Sequence, residues 1–257
     1  MSNAADLIAT QRWWHTIDVG PGLATPGSWD LRPMAERMPW PASLAGARCL
    51  DVGTMDGFWA FEMERRGAGE VVAIDVADRA RLDLPVGLRG GNGSSPQPTR
   101  AGPGATFRVA AELLKSRAAW QDLSVYDLST APVGRFDLVF VGYTLNLLRD
   151  PVGALEAIRG VCDGAVIVLD ELSLLLTLLY PGPLAKLAPR AGYQEWWVFN
   201  AAGLRRALTL AGFRPEAESG LLKHHPGPGV NRARVPVGYR LRHAAGLAGV
   251  SLAIRAA

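Results

Sequence analysis

The chain has 257 residues, of which 49% are hydrophobic and 20% charged, with a formal net charge of +3. This composition excludes a disordered chain and a disulfide scaffold, and it suffices for one α/β domain with a sizeable core. The apolar stretch Leu172 to Tyr180 is too short to span a bilayer and runs into Pro181-Gly182-Pro183, so no membrane partner is expected.

Residues 1–44 read as a cover segment of one short helix followed by loops, because prolines and glycines interrupt it repeatedly. It carries Trp13, Trp14, Trp29 and Trp40, which either pack it onto the domain or wall an acceptor pocket. Within it stands Trp13-Trp14-His15-Thr16-Ile17-Asp18. The neutral form of His15 suits a general base near neutral pH, and a local structural anchor is the alternative role.

Residues 45–257 read as the main domain. Cys49-Leu50-Asp51-Val52-Gly53 is an apolar run ending in an acid and a turn, and Phe58 to Arg66 carries a helical pattern closed by Gly67. Gly53 falls where the turn is sharpest, and Gly57 where backbone is expected to approach a ligand. The next strand, Glu70 to Asp75, ends in an acid suited to the two hydroxyls of a ribose. A dinucleotide fingerprint would need glycine at positions 55 and 58, which hold Met55 and Phe58. Asp51 before the turn would repel a pyrophosphate and favour a cationic ligand instead.

Residues 86–105 are rich in Gly, Pro and Ser and too long for an ordinary connection, so they read as a flexible insertion, either a lid or plain disorder. Phe107 to Arg117 reads as a helix, Asp122 to Asp127 as a third strand and Phe136 to Val141 as a buried parallel strand. Tyr143 and Asn146 follow that strand's end. Pro151 opens a helix, Ala165 to Asp170 is a fifth strand, and Asn200 caps the next helix. The tail around Val235 to Tyr239 is expected to add one or two closing strands. The alternation implies a doubly wound, mostly parallel sheet of the Rossmann-like kind.

From Ser219 onward there are six Lys or Arg residues and no Asp or Glu. Such a tail either touches nucleic acid or forms a solvated edge. Cys49 and Cys162 fall in or beside apolar segments, as reduced thiols in a cytoplasmic protein do. No metal-ligand spacing is present, and the oligomeric state is not readable.

The order Asp51-x-Gly53-x-x-x-Gly57, Asp75, Val125-Tyr126-Asp127 and Phe136-Asp137-Leu138-Val139 resembles the class I S-adenosylmethionine-dependent methyltransferases. Met55 departs from the middle glycine usual in that family, and Asn146 stands where members often have His. The Trp-Trp-His-Thr-Ile-Asp opening and Asp56-Gly57-Phe58-Trp59-Ala60-Phe61-Glu62 are similar to the branch named for tRNA wobble-uridine (mo5U34-type) methyltransferases. The resemblance implies S-adenosyl-L-methionine as cofactor, with Asp51 toward its ammonium, Gly53 and Gly57 letting the backbone approach its methionyl part and ribose, Asp75 on the ribose hydroxyls and Asp127 on the adenine amine. His15, Tyr143 and Asn146 are the expected catalytic group on the acceptor side. Methyl transfer to an O or N of a small molecule is the expected reaction. Modification of a tRNA wobble uridine, with a carboxylated cofactor variant, is the alternative.

Overall fold

The computed structural model describes residues 4–89, 104–188, 194–230 and 249–257. The N-terminal part holds the short helix α1 (Ala4–Ala9), the strands β1 (Asp18–Gly20) and β2 (Leu23–Ala24), and one helical turn, α2 (Arg32–Ala35). The main unit then runs β3 (Arg48–Val52), α3 (Phe58–Arg65), β4 (Glu70–Asp75), α4 (Ala105–Leu114) and β5 (Ala119–Asp122). It continues β6 (Phe136–Gly142), α5 (Pro151–Val161), β7 (Cys162–Leu172), α6 (Leu174–Leu179), β8 (Ala185–Leu187), β9 (Trp197–Phe199) and α7 (Ala201–Leu210). Two strands close it, β10 (Pro215–Lys223) and β11 (Val250–Ala256).

The main sheet has the order β10-β11-β7-β6-β3-β4-β5, with β9 and β8 added beside β7. Strands β3 to β7 run parallel. β11 is antiparallel to both β7 and β10. From β3 the chain steps outward to β4 and β5, then crosses back to β6 and β7. The ends of β3 and β6 therefore flank the switch point where open α/β sheets bind ligands.

Strand alternation divides the core in two. Leu50, Val52, Val72, Ile74, Val139 and Val141 face α5 and α7, with Leu155, Ile158, Leu204 and Leu208 packed on them. Cys49, Val71, Ala73, Leu138 and Phe140 face the other way, against Phe58, Ala60, Phe61 and Met63 of α3. Ile8, Trp13, Ile17, Val19, Met34 and Met38 join this second cluster, so the N-terminal segment is packed into the core. Full burial of each such side chain contributes about 1.5–3 kcal/mol. Asp150 and Asn200 cap α5 and α7 by accepting from Gly153 N and Gly203 N at 2.9 and 2.7 Å. Such caps are worth about 1 kcal/mol each.

Several sequence expectations shift. The strand expected over 122–127 is β5 at Ala119–Asp122, followed by a 3-10 turn at Val125–Asp127. Ser124 Oγ accepts from Tyr126 N, and this local bond gives the backbone an alternative to the sheet ladder. The helix expected to reach Arg117 ends at Leu114, with Lys115 in the left-handed region at φ 53°. Of the insertion expected over 86–105, Val86–Leu88 is a 3-10 turn with Leu88 buried, and α4 already begins at Ala105. Residues 90–103 and the tail strand expected around Val235 to Tyr239 lie outside the described residues. Among the described residues, no helix is long and apolar enough to cross a membrane.

Gly57 is required by packing. It precedes α3 at φ 91°, and a Cβ there would run into the Phe61 and Phe107 rings. Gly57→Ala is expected to cost roughly 2–4 kcal/mol, combining left-handed strain with overpacking. Urea denaturation measures this, and a loss below about 0.5 kcal/mol would contradict it.

Candidate active site

The turn after β3 is held from below and from the side. Gly53 N and Thr54 N both donate to Ile74 O, at 2.9 and 3.1 Å. Met55 N donates to Asp75 Oδ2 at 2.8 Å, and Val76 N donates to Asp75 Oδ1 at 2.7 Å. Gly53 sits at φ 74°, and a Cβ there would strike the Thr144 hydroxyl, so glycine is needed on both counts. Met55 takes φ 49°, an uncommon conformation for a residue with a Cβ. A glycine at this position would relax that strain. Each Asp75 oxygen holds one backbone N–H and keeps a second lone pair for a ligand. Burial raises the Asp75 carboxyl's pKa, and the two N–H bonds oppose the shift.

A cavity of about 270 Å³ opens at the C-terminal ends of β3, β4 and β6. Its first half is lined by Gly53, Met55, Asp75, Val76, Leu123 and Tyr126. Leu82, Asp83 and Leu84 close that half, because Tyr126 Oη donates to Asp83 Oδ2 at 2.8 Å and Trp196 Nε1 donates to Asp83 O at 2.6 Å. The second half is lined by Trp14, His15, Trp29, Tyr143, Asn146 and His224, and Glu171, Gln194 and Glu195 also line the cavity.

Asp56 joins the N-terminal segment to the turn. Its Oδ2 accepts from Trp14 N at 2.5 Å and from His15 N at 2.8 Å, and lies 3.9 Å from His15 Nδ1. Burial lowers the pKa of His15, with Asp56 opposing, so the ring is neutral near pH 7. His15 is 7% exposed, and its Nδ1 has no hydrogen-bond partner among the described residues. Trp29 bridges to His15 and Pro226, which fixes this wall. The His224 ring stands edge-on to Trp29 and Tyr143, with centroids 5.5 and 5.0 Å away, and its Nε2 is 2.5 Å from Ser251 Oγ.

Of the eight residues singled out from the sequence, Gly53, Asp75, His15, Tyr143 and Asn146 come together on the cavity wall. Asp51, Gly57 and Asp127 do not line it. Asp51 alternates onto the α3 face of the sheet, where its Oδ2 accepts from Ala60 N at 3.1 Å, so it steadies the helix start. Gly57 makes its close approach to the protein's own rings. Asp127 lies at the end of the 3-10 turn, and its carbonyl accepts from Thr130 N and Ala131 N. The preceding residues 123–126 form the wall instead. The Tyr143 hydroxyl donates to Met34 Sδ at 3.7 Å. His224 faces the cavity because β11 carries its partner Ser251 beneath it. Asp56 entered the sequence reading only as part of the Asp56 to Glu62 run, and its bonds to a segment some forty residues upstream were not legible.

Burial raises the Asp51 pKa from 3.8 to about 7. The unfolded carboxyl loses its proton near 3.8, whereas the folded one keeps it to about 7. Folding therefore takes up a proton in between, and stability falls as pH rises through that window. Asp51→Asn, which cannot ionise, is expected to flatten the fall between about pH 4 and 7 by 1 kcal/mol or more. Urea midpoints measured across pH report it, and an unchanged slope would contradict it.

A family model described as a methyltransferase domain matches residues 31–218. The chain belongs to this methyltransferase family. No curated protein matches it. Among solved structures, it is similar to a 1,6-didemethyltoxoflavin N1-methyltransferase of Burkholderia thailandensis with bound 1,6-didemethyltoxoflavin and S-adenosylhomocysteine. That likeness has 16% identity and a TM-score of 0.53, covering 88% of this chain and 76% of that one. It is also similar to the N-terminal domain of EvdMO1 in the presence of S-adenosylhomocysteine and D-fucose, at 15% identity and TM-score 0.55, covering 98% and 94%. The [4+2]-cyclase SpnF follows at 17% identity and TM-score 0.52, covering 87% and 78%. At these identities the likeness concerns the fold. It agrees with the mostly parallel, doubly wound sheet, and the cyclase shows that this fold serves more than one chemistry.

Proposed function

We propose that this methyltransferase family member uses S-adenosyl-L-methionine to methylate an O or N of a small molecule. The observation that carries the reading is the two-part cavity at the switch point. One half ends at the ribose-suited Asp75, and the other is an aromatic chamber containing a buried neutral histidine. The first half fits the cofactor. Asp75 has one spare acceptor on each oxygen for a pair of hydroxyls, and Val76, Leu123 and Val125 offer apolar surface for a flat base. In this reading residues 1–44 cover the acceptor side and residues 45–257 carry the methyltransferase domain.

The bound cofactor supplies an electrophilic methyl group on a sulfonium. The protein's own part is positioning, exclusion of water and removal of a proton. Trp14, Trp29 and Tyr143 orient the acceptor. His15 takes the acceptor's proton as the new bond to carbon forms and the bond to sulfur breaks. Asp56, 3.9 Å away, stabilises the imidazolium that results.

The small-molecule reading is favoured over the tRNA one by the charge of the cavity wall. Glu171 and Glu195 there would repel a phosphate chain. Four of the six basic tail residues, Arg232, Arg234, Arg240 and Arg242, lie outside the described residues. A carboxylated cofactor variant calls for a cation near the transferred group. Arg81 on the wall is already paired with Asp122 at 2.9 Å, so the ordinary cofactor is preferred.

The test incubates the protein with methyl-labelled S-adenosylmethionine and, separately, a small-molecule extract and total tRNA. Label is expected in the small-molecule fraction. Label confined to tRNA would overturn the reading.

A further inference from the structure

An acidic corner of the cavity has a chemistry of its own. Asp170 sits near the C-terminal end of β7 and is fully buried, with Oδ2 accepting from Asn146 N at 3.0 Å and Oδ1 from Glu171 N at 2.7 Å. Its carboxyl is raised to about 7, chiefly by burial, with Glu171 and Glu195 adding repulsion, so all three acids share one corner. Glu171 and Glu195 both line the cavity. Glu195 is carried by a fixed segment, because the next residue, Trp196, donates its N to Asn146 O at 2.7 Å and its Nε1 to Asp83 O. No hydrogen bond or ion pair is recorded for the Glu195 carboxylate among the described residues.

Asn146 Oδ1 lies buried beside the chamber without a donor, and His15 Nδ1 faces Asp56 Oδ2 at 3.9 Å. The opposite walls are aromatic, Trp14, Trp29 and Tyr143, and ring faces attract organic cations. Among the described residues, no group of three or more His, Cys, Asp or Glu side chains is placed to hold a metal ion, so the charge of the corner suits an organic cation better than a divalent one.

We infer that the acceptor is an amine-bearing small molecule whose ammonium seats at Glu195 and Glu171 and lies against the aromatic wall. This inference rests on the proposed small-molecule function and adds the class of acceptor. The cofactor's own cation is not the occupant. Asp75 and Gly53 mark its place at β4 and β3, whereas Glu171 stands at the end of β7, two strand spacings from β3, or about 10 Å.

The test uses protein saturated with S-adenosylhomocysteine, whose own binding is measured first by calorimetry. Failure of that first step counts against the methyltransferase reading and not against the corner. Three flat probes of similar size then follow: tryptamine as the ammonium, 3-indolepropanol as the neutral form, and indole-3-propionate as the anion. Tryptamine is expected to bind at least tenfold tighter than the alcohol, and the propionate more weakly than both. Glu195→Gln is expected to remove most of the tenfold preference while leaving S-adenosylhomocysteine affinity unchanged. Equal binding of the three probes, no detectable tryptamine binding, or a preference unchanged in Glu195→Gln would overturn the inference.

Discussion

Asp75→Ala is expected to lower the affinity for S-adenosylmethionine about 30- to 150-fold while the fold survives. Two ribose hydrogen bonds to a carboxylate would be lost, worth roughly 2–3 kcal/mol together. The structure adds a second contribution, because the same carboxylate holds Met55 N and Val76 N and so fixes the turn that faces the ligand. Asp75→Asn keeps one acceptor and is expected to fall between wild type and alanine. Calorimetric titration decides the matter, and an affinity within threefold of wild type would remove Asp75 from the cofactor site. The hydrophobic layers on both sides of β4 do not depend on this side chain, so the thermal midpoint should move little compared with that of Gly57→Ala.

The second large effect belongs to His15. His15→Ala is expected to reduce turnover about 100-fold or more with cofactor affinity unchanged, the usual size of a lost general base. The pH profile carries the sign. The His15 pKa lies below the ordinary 6.5, so the proton-accepting neutral form prevails at neutral pH and turnover should fall only as the solution becomes acidic. Asp56→Asn removes the charge that stabilises the imidazolium and should lower turnover as well. It also replaces the acceptor of Trp14 N and His15 N, so its thermal stability must be recorded alongside. Normal turnover in His15→Ala, or loss of both folding and cofactor binding, would leave His15 as the anchor of the N-terminal segment.

β4 and β6 were legible because they are largely apolar runs that end in an acid or a glycine. Phe136–Gly142 and Pro151–Val161 follow the pattern almost residue by residue. The places of Gly53 and Asp75 on the cavity wall were legible, since a turn at a strand end and an acid at the next strand end are local features. Asp51 and Asp127 stand off the cavity wall for a physical reason. Strand alternation turns Asp51 toward α3, and the Ser124 cap replaces the end of an expected strand with a tight turn. Neither outcome can be read from the spacing of acids. The acceptor half was legible only in outline. Trp14 and Trp29 reach the chamber, whereas Trp13 and Trp40 go to the core, with Trp40 packed on Phe140 at 5.5 Å. Glu171, Glu195 and His224 converge from three separate stretches, and only the closed sheet brings them together.

The most direct measurement is a crystal structure of the protein grown with S-adenosylhomocysteine. The account predicts the ribose hydroxyls on the two Asp75 oxygens, the adenine against Val76 and residues 123–126, and the sulfur facing the chamber of Trp14, His15 and Tyr143. A ligand bound elsewhere, or a cavity still empty at millimolar S-adenosylhomocysteine, would contradict it.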